Sequence, residues 1–95
     1  MKLAVISLSD EGARIANQLQ QGLADTDIFL HEKVAASFGG RRFKSIIMLT
    51  RKIFNQYDGL VYVAPCGVVV RALAKNIRDK RTDPGVVVVD ASGRF

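Results

Sequence analysis

The chain is poor in the residues that staple or ligate small proteins: one cysteine, Cys66, and one histidine, His31, among 95 residues. A single thiol excludes an intramolecular disulfide and points to a reducing compartment, the cytoplasm, rather than to a secreted scaffold. One Cys and one His together exclude a zinc site made of those ligands, so no metal site is expected. Long apolar runs are missing as well. Residues 3–8 are largely apolar but stop at Ser9-Asp10-Glu11, too short for a signal core or a bilayer span, and no membrane role is expected. Neither repeats nor a linker interrupt the chain, and residues 1–95 read as one α/β domain with a thin core.

Two nucleotide signatures are also wanting. The glycine of Ser9-Asp10-Glu11-Gly12 stands alone after the first strand, which is not a dinucleotide fingerprint, and no glycine pair is followed by the Lys-Ser/Thr of a P-loop. Acidic residues are scarce in one half. From Arg41 to Arg81 there are ten bases and two acids, Asp58 and Asp79, whereas the rest carries four bases and seven acids. A one-sided excess of +8 calls for an anionic partner. Nucleic acid is disfavoured, because the bases lack interleaved aromatics and no recognition motif is present.

What remains is an alternation of apolar runs and amphipathic stretches. Strands are expected at residues 3–8, 27–30 (short, near an edge), 59–64 and 86–90. Between them, Ile15, Ala16, Leu19 and Leu23 recur at helical spacing, as do Phe43, Ile46, Ile47, Thr50, Ile53 and Phe54 over residues 43–56. Val69, Val70, Leu73 and Ile77 suggest a third helix, against the β-branched run at 68–70. Residues 31–40, ending in Gly39-Gly40, read as a loop. Strands alternating with helices predict a flavodoxin-like three-layer sandwich: a parallel sheet of about four strands, order 2-1-3-4, with helices on both faces.

In such a sheet ligands bind beyond the carboxyl ends of the strands. That rule selects Ser9 and Asp10, His31, the turn Pro65-Cys66-Gly67, and Asp90. Gly67, opening a helix, exposes N–H groups at the positive end of the dipole; the alternative is a sharp turn that simply requires glycine. Arg71 follows one turn later. Lys80 and Arg81, beside Asp83-Pro84, add two cations that grip an anion or merely connect two elements. His31 is the one side chain with an ordinary base's range near neutrality. Cys66 has no basic partner in sequence to activate it as a nucleophile.

Several runs resemble the cobalt-precorrin-5A hydrolases of anaerobic cobalamin biosynthesis. They are Tyr57-Asp58-Gly59-Leu60-Val61, Cys66-Gly67-Val68-Val69-Val70-Arg71, Asp79-Lys80-Arg81-Thr82-Asp83-Pro84, Val86-Val87-Val88-Val89-Asp90 and Gly93-Arg94-Phe95. The resemblance implies an enzyme that opens a δ-lactone on a cobalt-bound macrocycle, releases acetaldehyde and yields cobalt-precorrin-5B. Cobalt then arrives on the substrate, and no other cofactor is expected. An anionic corrinoid is the implied partner, with Cys66, Gly67, Arg71, Lys80 and Arg81 as its binding residues and Asp83, Asp90 or His31 as candidate catalytic groups. Family chains continue past the position of Phe95, so residues 1–95 are expected to be an N-terminal domain. The rival is a noncatalytic flavodoxin-like module that binds an anion or a protein. The apolar strand at residues 86–89 also predicts an open sheet edge and a homodimer formed by strand addition.

Overall fold

The first apolar run forms β1 (Leu3–Ser7) at the centre of a parallel sheet. The computed structural model describes residues 1–74 and 83–90. After β1 the elements are α1 (Asp10–Gly22), β2 (Thr26–His31), β3 (Arg41–Phe43), α2 (Ile46–Ile53), β4 (Gly59–Val63), α3 (Cys66–Leu73) and β5 (Gly85–Val89). The strand order is β3-β2-β1-β4-β5, every neighbouring pair parallel. The expected 2-1-3-4 order is present as β2-β1-β4-β5, and the architecture is the expected α/β sandwich.

Two expectations need correction. The sheet has five described strands, because Arg41–Phe43 pairs with Phe29–His31. As a result β2 is an inner strand of six residues rather than a short one near an edge. Phe43 is therefore a strand residue, and the helix starts later, at Ile46, after Ser45 accepts the Met48 N–H at 3.2 Å. The second correction concerns α3. Its buried stripe is Val69, Ala72 and Leu73, while Val70 is 59% exposed. Ile77 lies outside the described residues.

Alternation along the strands divides the core. Ala4, Ile6, Phe29, Leu60 and Tyr62 face α2 and α3 and meet Leu49, Ile53, Val69 and Leu73. Val5, Ile28, Leu30 and Val63 face α1 and meet Ala13 and Ala16. Helices thus cover both faces. Tyr62 is fully buried, and its hydroxyl shares a 2.7 Å hydrogen bond with Thr50. Tyr57 donates to Asp27 at 2.6 Å. Burial, and then that bond to a carboxylate, push the Tyr57 pKa up to about 12.

Candidate functional site

Chain direction reverses between β1 and β4: β1 leads outward to β2, and β4 leads the other way to β5. Their carboxyl ends therefore flank the topological switch point. The local chemistry at each strand end separates the candidates.

At the end of β1, Ser9 caps α1 by accepting the Gly12 N–H at 3.1 Å, and Asp10 accepts the Ala35 N–H at 2.9 Å. A Cβ on Gly12 would come against the Ser7 hydroxyl and within 2.9 Å of the Val63 carbonyl, so α1 sits tightly on this end. Little room is left for a ligand there. At the end of β2, both ring nitrogens of His31 are engaged by backbone. Nδ1 accepts from the Lys33 N–H at 3.1 Å, which leaves the proton of the neutral ring on Nε2, 3.1 Å from the Lys44 carbonyl. The ring also stands edge-on to Phe43 at 5.7 Å. His31 thus ties the β2 exit to β3 rather than presenting a free base.

The end of β4 is different. Pro65 is the residue before α3 and supplies no side-chain cap, whereas serines cap both α1 and α2. Cys66, exposed, and Gly67 form the first turn. Gly67 is helical, and a Cβ there would meet nothing within 4 Å. Neither conformation nor packing demands glycine; its effect is to leave open space over the helix N-terminus, where N–H groups and dipole favour an anion. Arg71 lies one turn on, on the same face as Gly67, and side chains on a helix tilt toward its N-terminus.

Asp90 immediately follows β5, and the Ala64 N–H donates to the Val89 carbonyl at 3.1 Å. This places Asp90 beside the Pro65-Cys66 turn. Asp83 precedes β5, at the amino end of the sheet, about 20 Å from Asp90 by strand rise. The structure therefore brings Cys66, Gly67, Arg71 and Asp90 to one end and leaves Asp83 at the other. Lys80 and Arg81 lie outside the described residues. Among the described residues no group of three or more His, Cys, Asp or Glu side chains is placed to hold a metal ion. No described helix is long and apolar enough to cross a membrane.

One feature was not legible from the sequence. A cavity of about 530 Å³ runs between β3 and α2, away from the β4 end. Its cations were visible as a basic half of the chain, but their convergence depends on β3, which the apolar pattern does not reveal.

The fold is a doubly wound α/β domain in which the N-terminus of α3 adjoins the switch point. The chain belongs to the cobalamin synthesis G N-terminal family, which matches residues 48–95. It is 32% identical to the cobalt-precorrin-5A hydrolase of Priestia megaterium across 95% of its own length and 25% of that protein's. It is 41% identical over 44 residues to the enzyme of that name from Salmonella typhimurium, covering 46% of this chain and 12% of the relative. The chain thus spans a quarter or less of these relatives. No solved structure matches it.

Proposed function

We propose that the chain acts in the cytoplasm as the N-terminal domain of a hydrolase that opens the lactone of cobalt-precorrin-5A. The observation that carries the reading is the similarity to a protein of that name over 95% of this chain. In the reaction a water oxygen bonds to the lactone carbonyl carbon and the ring C–O bond breaks, freeing a carboxylate and a hydroxyl; the C–C bond that joins the hydroxyl-bearing two-carbon fragment to the macrocycle then breaks, the hydroxyl losing its proton as acetaldehyde forms and the electron pair passing to the macrocycle, which takes up a proton. Two demands follow: a group to take the water's proton, and donors for the oxyanion formed at the carbonyl. Asp90, beside the α3 turn, suits the first role better than His31 or Asp83. The N–H groups of the first turn of α3 suit the second. Arg71, with Lys80 and Arg81, pairs with the acetate and propionate arms of the macrocycle. The cobalt belongs to the substrate.

The test is to mix purified protein with cobalt-precorrin-5A, following the corrinoid's visible absorption for binding and trapping acetaldehyde for turnover. A bound spectrum, weakened at least tenfold in affinity by Arg71→Ala, with acetaldehyde released, is expected. A folded chain that leaves the spectrum unchanged and yields no acetaldehyde overturns the proposal.

A further inference from the structure

β3 is the outer strand on its flank of the sheet, with β2 its one strand neighbour among the described residues. The Phe43 carbonyl accepts the Glu32 N–H at 2.8 Å, so the main chain of Phe43 faces β2. Main-chain groups alternate in direction along a strand, and the N–H and C=O of Arg42 therefore point off the sheet. No described group pairs with them. The Arg42 side chain does not cover them, because its guanidinium is held by the carbonyls of His31, Val34, Ala35 and Phe38. On the face that carries Arg41 and Phe43, this edge borders the 530 Å³ cavity between β3 and α2. Phe43 and Leu49 are buried at its floor, and Met48, 66% exposed, forms an apolar wall. Arg41, Lys44, Arg51 and Lys52 stand exposed around it, and no acidic residue among the described ones lines it.

The cations select an anion but not its kind; the strand edge selects the kind. A phosphate or carboxylate ion carries acceptors alone and leaves the Arg42 C=O without a donor. Single-stranded nucleic acid needs exposed rings on which bases stack, and Phe29 and Phe43 are 5% and 8% exposed. A peptide main chain brings a donor and an acceptor at the spacing of a strand. Its side chains two residues apart share a face, about 7 Å from one another. An apolar residue over Phe43 and Met48 thus carries its second neighbours on either side to the ring of cations. A second copy of β3 is a poor occupant, because it would set Arg41 and Arg42 against their own kind.

We propose that the β3 edge docks an acidic segment of a partner protein. The segment adds as a further strand beside β3 and pairs with the Arg42 main chain. It sets one apolar side chain in the cavity and offers carboxylates, two residues before and after it, to Arg41, Lys44, Arg51 and Lys52. The inference does not rest on the hydrolase proposal. The docking edge belongs to β3 and α2, and three strand spacings, about 14 Å, separate β3 from β4.

The probe is a seven-residue peptide, blocked at both ends, with leucine fourth, glutamate second and sixth, and threonine elsewhere. Titrated into the nitrogen-15-labelled chain, it should bind saturably, and the Arg42 amide should exchange with solvent at least tenfold more slowly in the complex. Affinity should fall as salt rises from 50 to 200 mM, and at least tenfold when serine replaces the leucine. Arg51→Glu should raise the Kd at least tenfold. Arg14→Glu, the same charge change on α1 across the sheet, should alter it less than threefold. Circular dichroism checks that both variants fold. Binding that leaves Arg42 exchange unchanged would show charge attraction without strand addition and overturn the proposal. So would equal loss in both variants, tighter binding of an oligothymidylate at the same residues, or no saturation by millimolar peptide.

Discussion

A Cβ placed on Gly12 would collide with the Ser7 hydroxyl and the Val63 carbonyl, whereas one placed on Gly67 would meet nothing within 4 Å. The two glycines open helices of the same sheet yet answer to different demands. Gly12→Ala must push α1 off the sheet and should cost about 3 kcal/mol in urea unfolding, in the range of overpacked cores. Gly67→Ala should stabilise by about 0.5 kcal/mol, since a helical backbone gains from alanine. It should at the same time weaken corrinoid binding by filling the approach to the α3 N-terminus. If Gly67→Ala proves as destabilising as Gly12→Ala, the position answers to packing and the anion reading of that turn fails. Tyr57 offers a second residue-scale outcome. Its pKa is raised from 10.0 to about 12 by burial and the bond to Asp27. A pKa raised on folding gives stability that is complete below the unfolded value and is lost as pH climbs through the folded one. The stability advantage of the wild type over Tyr57→Phe should therefore shrink between pH 10 and pH 12. A gap constant across that window would show that the hydroxyl does not titrate as described.

At the scale of elements, most of the pattern could be read because periodicity and burial coincide. β1 and β4 lie inside the sheet and are apolar on both faces, and α1 carries one apolar stripe with Ser9 as its cap. β3 could not be read this way. Its three residues include two exposed arginines, and Phe43 buries into the same core cluster as Leu49 and Ile53. A strand residue and helix residues that share one core produce a single stripe in sequence, so the helix was expected to begin at Phe43. What holds β3 in place is partly a side chain: Arg42 gathers four carbonyls of the 31–38 connection. Such convergence on main-chain oxygens leaves no trace in hydrophobic spacing. Val70 shows the opposite error, an apolar residue at a plausible spacing that the rotation of α3 turns to solvent.

On the scale of the whole molecule, the two flanks of the sheet differ. β5 has one strand neighbour among the described residues, β4, and Val87, Val88 and Val89 are 56%, 37% and 37% exposed. α1 lies chiefly over β1, β2 and β4. An apolar edge strand without an internal charge or proline invites strand addition. Sedimentation equilibrium from micromolar to millimolar concentration should show reversible self-association, and Val87→Lys should suppress it. A strictly monomeric wild type over that range would mean the edge is already covered. The opposite flank, with β3 and its surrounding cations, is positively charged and resists self-pairing. A dimer is therefore expected through β5 and not through β3.

The sequence by itself determined the α/β class, the order of the inner strands and the family, because runs apolar on both faces and a stretch such as Asp83-Pro84 before a valine strand are local properties of the chain. It also singled out Gly67 and Arg71. Only the tertiary structure decided which candidates share a place. Asp90 and Cys66 lie at the same end of the sheet because parallel β4 and β5 end at the same side, and Asp83 falls away because it enters β5 from the other. His31 is a candidate base by residue type alone; in the fold its two nitrogens are satisfied by main-chain groups at Lys33 and Lys44. The cationic cavity arises the same way: Arg41 and Arg51 are ten residues apart in sequence, and only the packing of α2 against the β3 edge puts their charges around one apolar floor.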